Sequence, residues 1–255
     1  MSLAVDALAV DFGGVAALAG VSFAVAPGTI TSLIGPNGAG KTTAFNAITG
    51  YLRPSAGRVT YEGRALTGRR PCDIARDGVV RTFQRTSVFP GLSVLDNVRV
   101  GLHLRGTAGP LAILAGRRRV REEEARLTRD AGEILAFVGL AGRAREAAGE
   151  LAYGEQRLVE LAVALAARPR VLLLDEPAAG MTGAEKERLT GLVRRVREQG
   201  VTVLLVEHDM RLVMGISDTI IVLDHGRVIA EGPPATIQAH PDVVRAYLGG
   251  SRAPA

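Results

Sequence analysis

The chain opens on short apolar or alternating runs, residues 3–10, 21–25 and 30–34, with Pro27-Gly28 turning it between the last two. Such runs, bounded by turn residues, predict strands. Residues 57–62, closed by Gly63, predict a further edge strand. From residue 86 to about 149 the pattern becomes helical, with Ser93 as N-cap of a helix through Val98. Gly106, Gly109 and Gly116 predict a loop. Arg117 then opens a long amphipathic helix on which Val120, Leu127, Ala131, Ile134, Leu135 and Val138 share one face. A helix over 158–167 precedes the wholly apolar strand 171–174, and a helix over 184–199 precedes a second buried strand, 201–206. Residues 220–223 and 227–230 predict a hairpin through Asp224-His225-Gly226, and a disordered tail is expected from Gly249. Apolar strands alternating with helices predict an α/β fold whose mainly parallel core sheet is covered on both faces.

Composition narrows the class. A chain of 255 residues with 47% hydrophobic and 22% charged residues is globular, long enough for one α/β domain or two lobes. No apolar run reaches the roughly 20 residues of a membrane span, and the start, Met-Ser-Leu-Ala-Val-Asp, predicts no signal peptide. Cys72 is the only cysteine, which excludes an intramolecular disulfide and fits a reducing cytosol. The net charge of +5 suggests nucleic acid or an anionic membrane surface, but the dominance of arginine over lysine argues against nucleic acid. The basic run at 117–121 reads as a solvated helix face, with Glu122 and Arg126 paired at i,i+4.

Gly35-Pro36-Asn37-Gly38-Ala39-Gly40-Lys41-Thr42-Thr43 changes the picture. It fits G-x-x-x-x-G-K-[ST], and it lies between the strand 30–34 and a helix over 42–49 closed by Gly50, the context this phosphate loop requires. Glycines let successive N–H groups turn into one concave nest, and the helix N-terminus adds positive potential. Lys41 is placed to neutralise the β- and γ-phosphates and the Thr42 hydroxyl to ligate Mg²⁺. Only two lysines occur among 31 basic residues, Lys41 and Lys186, so a chain that otherwise uses arginine keeps lysine at this position.

In open parallel sheets, ligands sit beyond the carboxyl ends of the strands. Asp175 and Glu176 end one predicted strand and His208 follows another. Asp175 is the candidate metal holder and Glu176 the residue that orients the attacking water. An acidic pair at a strand end is as often an ordinary helix cap; beside a phosphate loop it becomes the second half of a site. His208 is the candidate γ-phosphate contact. Gln84, at the junction of the predicted lobes, is the candidate sensor of metal and nucleotide.

These motifs, in this order, resemble the nucleotide-binding subunit of ABC transporters over nearly the whole chain. Residues 35–43 match Walker A, Gln84 the Q-loop, residues 171–176 Walker B and His208 the switch histidine. Leu151-Ala152-Tyr153-Gly154-Glu155-Gln156 matches the signature segment, and Phe12 the aromatic that stacks on adenine. The resemblance implies a P-loop NTPase of the ABC ATPase type with an antiparallel β edge and a helical subdomain. It implies a single domain over 1–255, with an ATP-binding core at about 1–84 and 158–235, a helical subdomain at about 85–157 and a C-terminal helix and tail from about 236. It further implies ATP and Mg²⁺ as ligands, with Thr42, Gln84 and Asp175 at the metal. Each ATP would lie between one subunit's phosphate loop and Leu151, Ala152, Tyr153, Gly154 and Glu155 of the other, in a homodimer or a heterodimer with a related subunit. Two membrane permeases and, indirectly, an extracytoplasmic solute-binding protein are the implied partners, and the inner face of the membrane the implied location.

Arg81-Thr82-Phe83-Gln84, Val88-Phe89-Pro90, Ala178-Ala179-Gly180-Met181 and Val206-Glu207-His208-Asp209-Met210 are most similar to the LivG-type subunits of branched-chain amino acid importers. The alternatives are an ABC transport ATPase for another solute, such as urea or lipopolysaccharide, and a soluble ABC-type ATPase acting on ribosomes or DNA. Soluble relatives acting on ribosomes or DNA usually carry two cassettes or a long coiled coil, and this chain has neither. Three positions depart from the usual pattern: Ala152 in place of serine, Glu155 in place of glutamine and Thr182 in place of aspartate or asparagine.

Overall fold

The structure is a computed structural model that describes residues 3–82, 88–103 and 117–248. Gln84, the three loop glycines and the tail from Gly249 lie outside these residues, as does the side chain of Val120.

Three strands, β3 (Ile30–Ile34), β7 (Val171–Asp175) and β8 (Thr202–Val206), are buried at every position. Burial on both faces explains their unbroken apolar runs. They form the middle of a six-stranded sheet of order β10-β9-β3-β8-β7-β6, completed by β6 (Val79–Arg81), β9 (Thr219–Asp224) and β10 (Arg227–Gly232). All its pairings are parallel except β9 with β10, the predicted edge hairpin. A second, antiparallel sheet of order β2-β1-β4-β5 comprises β1 (Leu3–Phe12), β2 (Val15–Val25), β4 (Ala56–Tyr61) and β5 (Arg64–Ala65). Helix α1 (Lys41–Ile48) buries Ala44, Phe45 and Ile48 in the cluster that joins the two sheets, so the element leaving the phosphate loop is fixed from both sides.

The helical part packs on the other face of the core sheet. Before it in the chain, α2 (Pro71–Arg76) buries Ile74 in the cluster that holds α1; α3 (Val94–His103), α4 (Arg117–Val138) and α5 (Tyr153–Ala166) then pack on one another. Leu127, Ala131, Leu135 and Val138 are buried on the predicted face of α4, with Ile134 packed against the same cluster. Ser93 caps α3 as predicted, its hydroxyl accepting the Asp96 amide at 3.0 Å. On the exposed face of α4, Arg126 lies 3.9 Å from Glu123. Such solvated pairs contribute little.

Helices α6 (Gly183–Glu198) and α7 (Met210–Ile216) flank β8. Two short C-terminal helices, α8 (Pro234–Gln238) and α9 (Pro241–Leu248), complete the described chain. Ile237 and Val243 from these helices share a buried cluster with Ile34, the residue preceding the phosphate loop, and Tyr247 reaches the Gly35 backbone amide. Among the described residues no helix is long and apolar enough to cross a membrane.

Strands β5 and β6 and helices α2 and α7 are short elements without a counterpart in the sequence pattern, and β2 and α5 begin earlier than it predicts. β2 extends back to Val15, where Ala16, Ala17, Ala19 and Gly20 give no alternation. Helix α5 begins at Tyr153, five residues before the predicted start, because Gly154 reads as a helix breaker yet is buried inside the first turn.

Candidate functional site

The phosphate loop, Asp175, Glu176 and His208 meet at the carboxyl ends of neighbouring strands, whereas Phe12 ends a strand of the other sheet and residues 151–155 lie at the start of a helix. β3 leads into Gly35, β7 ends at Asp175, and β8 runs into Glu207 and His208. At Gly35 a Cβ would stand 2.1 Å from the Leu223 carbonyl oxygen, so the tight turn out of β3 admits no side chain. Gly40 precedes α1 at φ 104°, and a Cβ there would lie 2.7 Å from the Ala17 carbonyl oxygen. The first intrahelical bond runs from the Ala44 amide to the Gly40 carbonyl, leaving the amides of Lys41, Thr42 and Thr43 ahead of it. No side chain caps this end and no acid occupies its first turn. These features together form a nest for an anion.

Lys41 is buried, and its ammonium donates to the carbonyls of Gly35 at 2.7 Å and Pro36 at 2.9 Å. Burial lowers its pKa, while the nearby Glu176 and Asp175 carboxylates pull the other way. Thr42 is exposed at the mouth of the loop. Phe12 ends β1 before the Gly13-Gly14 turn and is about half exposed. Its hairpin lies beside the phosphate loop, since Ala17 of β2 abuts Gly40. This leaves Phe12 exposed at the tip of a hairpin fixed against the loop.

Asp175 is buried, with one side-chain oxygen, Oδ1, without a partner among the described residues. A buried, unpartnered carboxylate oxygen is costly unless a cation takes it, so Asp175 with the Thr42 hydroxyl suits a hard divalent ion such as Mg²⁺. Glu176 has a left-handed backbone, φ 48°, and its Oε1 lies 2.9 Å from His208 Nε2. The two side chains reach this distance from adjacent strands, as the Glu176 amide bonds to the Val206 carbonyl at 2.9 Å. A carboxylate and an imidazole so paired can fix one another and a water between them and a phosphate.

Sequence reasoning assigns no role to two buried charges that organise the site. Glu207 accepts the Ala178 amide at 2.7 Å and the His208 amide at 2.9 Å, tying the turn after β7 to the turn after β8. Arg81 pairs with Asp175 at 2.6 Å. Both residues stand next to site residues, but which buried group each meets is set by the tertiary fold.

The signature-like segment opens α5, with Ala152 at the N-cap and no side-chain capping bond. Gly154 packs against Glu185, whose Oε1 would be 2.1 Å from an added Cβ. Glu155 lies 3.4 Å from Arg143, so its charge already has a partner within the chain. Thr182 caps α6 in a reciprocal pair with Glu185. Its hydroxyl accepts the Glu185 amide, the Glu185 carboxylate accepts the Thr182 amide, and these bonds hold the Glu185 carboxyl below its ordinary pKa. A cap of this kind is worth about 1 kcal/mol. Thr182 thus has a helix-capping role of its own.

A nest for phosphates, two carboxylates and a histidine around it, and this sheet order define a nucleotide-binding ATPase of the cassette type. The chain belongs to the ABC transporter family, whose profile matches residues 18–179. A second profile, that of the branched-chain amino acid ATP-binding cassette transporter, matches residues 227–253. The chain is 44% identical over 97% of both sequences to the high-affinity branched-chain amino acid transport ATP-binding protein BraF of Pseudomonas aeruginosa. It is 42% identical, again over 97% of both, to LivG of Escherichia coli. Among solved structures, the ADP conformation of an ATP-binding cassette of an ABC transporter superposes with a TM-score of 0.85 at 34% identity, covering 97% of this chain and 98% of that one. A nucleotide-free cassette gives the same TM-score at 33% identity, covering 96% and 98%.

Proposed function

We propose that the chain binds MgATP on residues 35–43, hydrolyses it, and as half of a dimer powers import of branched-chain amino acids through two membrane permeases. The observation that carries the ATPase reading is the convergence of the phosphate loop, Asp175, Glu176 and His208 at adjacent strand ends. The BraF and LivG relatives and the C-terminal profile support the solute class.

Lys41 and the first-turn amides of α1 hold the β- and γ-phosphates, and Phe12 stacks on the base. Thr42, Asp175 and Gln84 are the residues that would hold Mg²⁺, which when bound would neutralise phosphate charge. Glu176 orients the attacking water, and His208 steadies Glu176 and contacts the γ-phosphate. Leu151, Ala152, Tyr153, Gly154 and Glu155 close on the nucleotide of a second subunit, either a copy or a related chain. The helical segment at 85–157, entered through Gln84, carries closure to the permeases at the inner membrane face, and an extracytoplasmic binding protein delivers the solute.

The test is reconstitution with the permeases and binding protein in liposomes. ATP turnover is expected to rise severalfold when the binding protein carries leucine. No response to leucine, isoleucine or valine, with a response to another solute, would overturn the substrate class and leave the ATPase intact.

Ala152→Ser separates two effects of the signature segment. A serine at this N-cap can accept a first-turn amide, so the protein without nucleotide is expected to gain about 1 kcal/mol in thermal unfolding. A hydroxyl facing a partner's phosphate adds a charge-assisted bond worth about 1.5–3 kcal/mol, so MgATP-driven dimerisation should tighten at least tenfold. Sedimentation velocity reads the second effect; a gain in unfolding stability with unchanged dimerisation would remove Ala152 from the nucleotide interface. Because Arg143 already pairs Glu155, Glu155→Gln is expected to add little to this tightening.

A further inference from the structure

We propose that Arg81 is a positioning residue of the metal site, compensating the charge of Asp175 and thereby setting how tightly the site takes its divalent cation. This rests on the reading of Asp175 as a metal holder. The guanidinium is nearly buried, with its side chain 7% exposed against 0% for Asp175, and Nη2 donates to Asp175 Oδ2 at 2.6 Å. Nη1 donates to Asn46 Oδ1 at 2.7 Å, and the group lies 5.5 Å from the centre of the Phe45 ring. Arg81 therefore joins two parts of the nucleotide site, the helix leaving the phosphate loop and the strand end carrying Asp175.

The pairing divides the two oxygens of Asp175. Oδ2 is taken by Arg81, and Oδ1 has no partner among the described residues. A planar guanidinium can hold two acceptors in fixed directions, which a lysine cannot. Thr82 adds to the clamp, its hydroxyl 3.4 Å from the Asp175 amide and its own amide bonded to the Leu173 carbonyl at 2.9 Å.

A buried ion pair of this kind has two consequences. Removing the cation alone leaves an uncompensated buried carboxylate, which is strongly destabilising, whereas removing both partners is close to neutral. A fixed positive charge a few ångströms from an incoming divalent ion also opposes it by more than a factor of ten at the screening typical of protein sites. Arg81 thus stabilises the protein and raises its metal threshold through the same bond. A guanidinium that only packed the strand against the helix would do the first and not the second.

The experiment compares the parent, Arg81→Met, Asp175→Asn and the double variant in two measurements. Without ligands, thermal unfolding should fall sharply for Arg81→Met and recover for the double variant. In the presence of ADP, Mn²⁺ titration followed by paramagnetic resonance should give a half-saturating concentration at least tenfold lower for Arg81→Met than for the parent. Asp175→Asn should lose most Mn²⁺ binding. An unchanged or raised Mn²⁺ requirement in Arg81→Met overturns the proposal while Asp175 stands. Undiminished Mn²⁺ binding in Asp175→Asn instead overturns the metal-site reading on which it rests. If Arg81→Met is recovered folded only when Mg²⁺ and ADP are supplied together, the cation has replaced the guanidinium and the proposal is supported. Failure to fold with Mg²⁺ and ADP present overturns it.

Discussion

Glu176→Gln is expected to bind MgATP as the parent does and to hydrolyse it about a thousandfold more slowly, within the range that a positioned general base supplies. Glutamine keeps the shape of the side chain and can still bond to His208 Nε2, which lies 2.9 Å from Glu176 Oε1. What it loses is the charge that orients and polarises the attacking water. The closed complex should therefore accumulate. Sizing chromatography with MgATP should show a dimer for the variant and mostly monomer for the parent, run with and without a related partner subunit. Turnover at near-parent rates would remove Glu176 from the mechanism. A variant that binds ATP, does not turn it over and stays monomeric would leave the two-subunit arrangement unsupported.

Lys41→Ala is expected to weaken ATP binding about ten- to hundredfold and to abolish measurable turnover, since one bond between charged groups is worth about 1.5–3 kcal/mol. The physical basis is local. Burial works against the ammonium, and the Glu176 and Asp175 charges only partly offset this, so phosphates bring compensation that the protein lacks. Equilibrium binding of a fluorescent ATP analogue checks the affinity, and phosphate release the turnover. Binding at parent affinity would show that residues 35–43 do not cradle phosphate.

How much of the fold is legible in the sequence follows from burial. β3, β7 and β8 are covered on both faces, so their apolar runs, and the polar residues ending them, stand out along the chain itself. The phosphate loop is legible because its chemistry demands glycine and lysine at fixed spacing. The first half of β2 is not, because alanine and glycine there fill a surface next to Gly40 without alternating. The start of α5 is hidden by Gly154, where the absence of a side chain serves the approach of Glu185. Arg81 and Glu207 stand in the sequence only as letters of longer motifs. Their roles depend on Asp175 and on the Ala178 amide, 94 and 29 residues away, and no local pattern records such partners. Thr182 reads in the sequence as a departure from the usual aspartate or asparagine, whereas its hydrogen bonds make it the cap of the following helix.

The backbone of Glu176 carries a further consequence. A residue with a side chain at φ 48° forgoes about 1 kcal/mol or more relative to glycine, which adopts that conformation freely. Glycine there would relax the turn out of β7 and forfeit the carboxylate that meets His208. On the proposed role of Glu176, stability and activity pull in opposite directions at this position, and the chain keeps the less stable choice. The reserve that makes this tolerable lies in β7 and the neighbouring β8, both buried throughout, which anchor the turn.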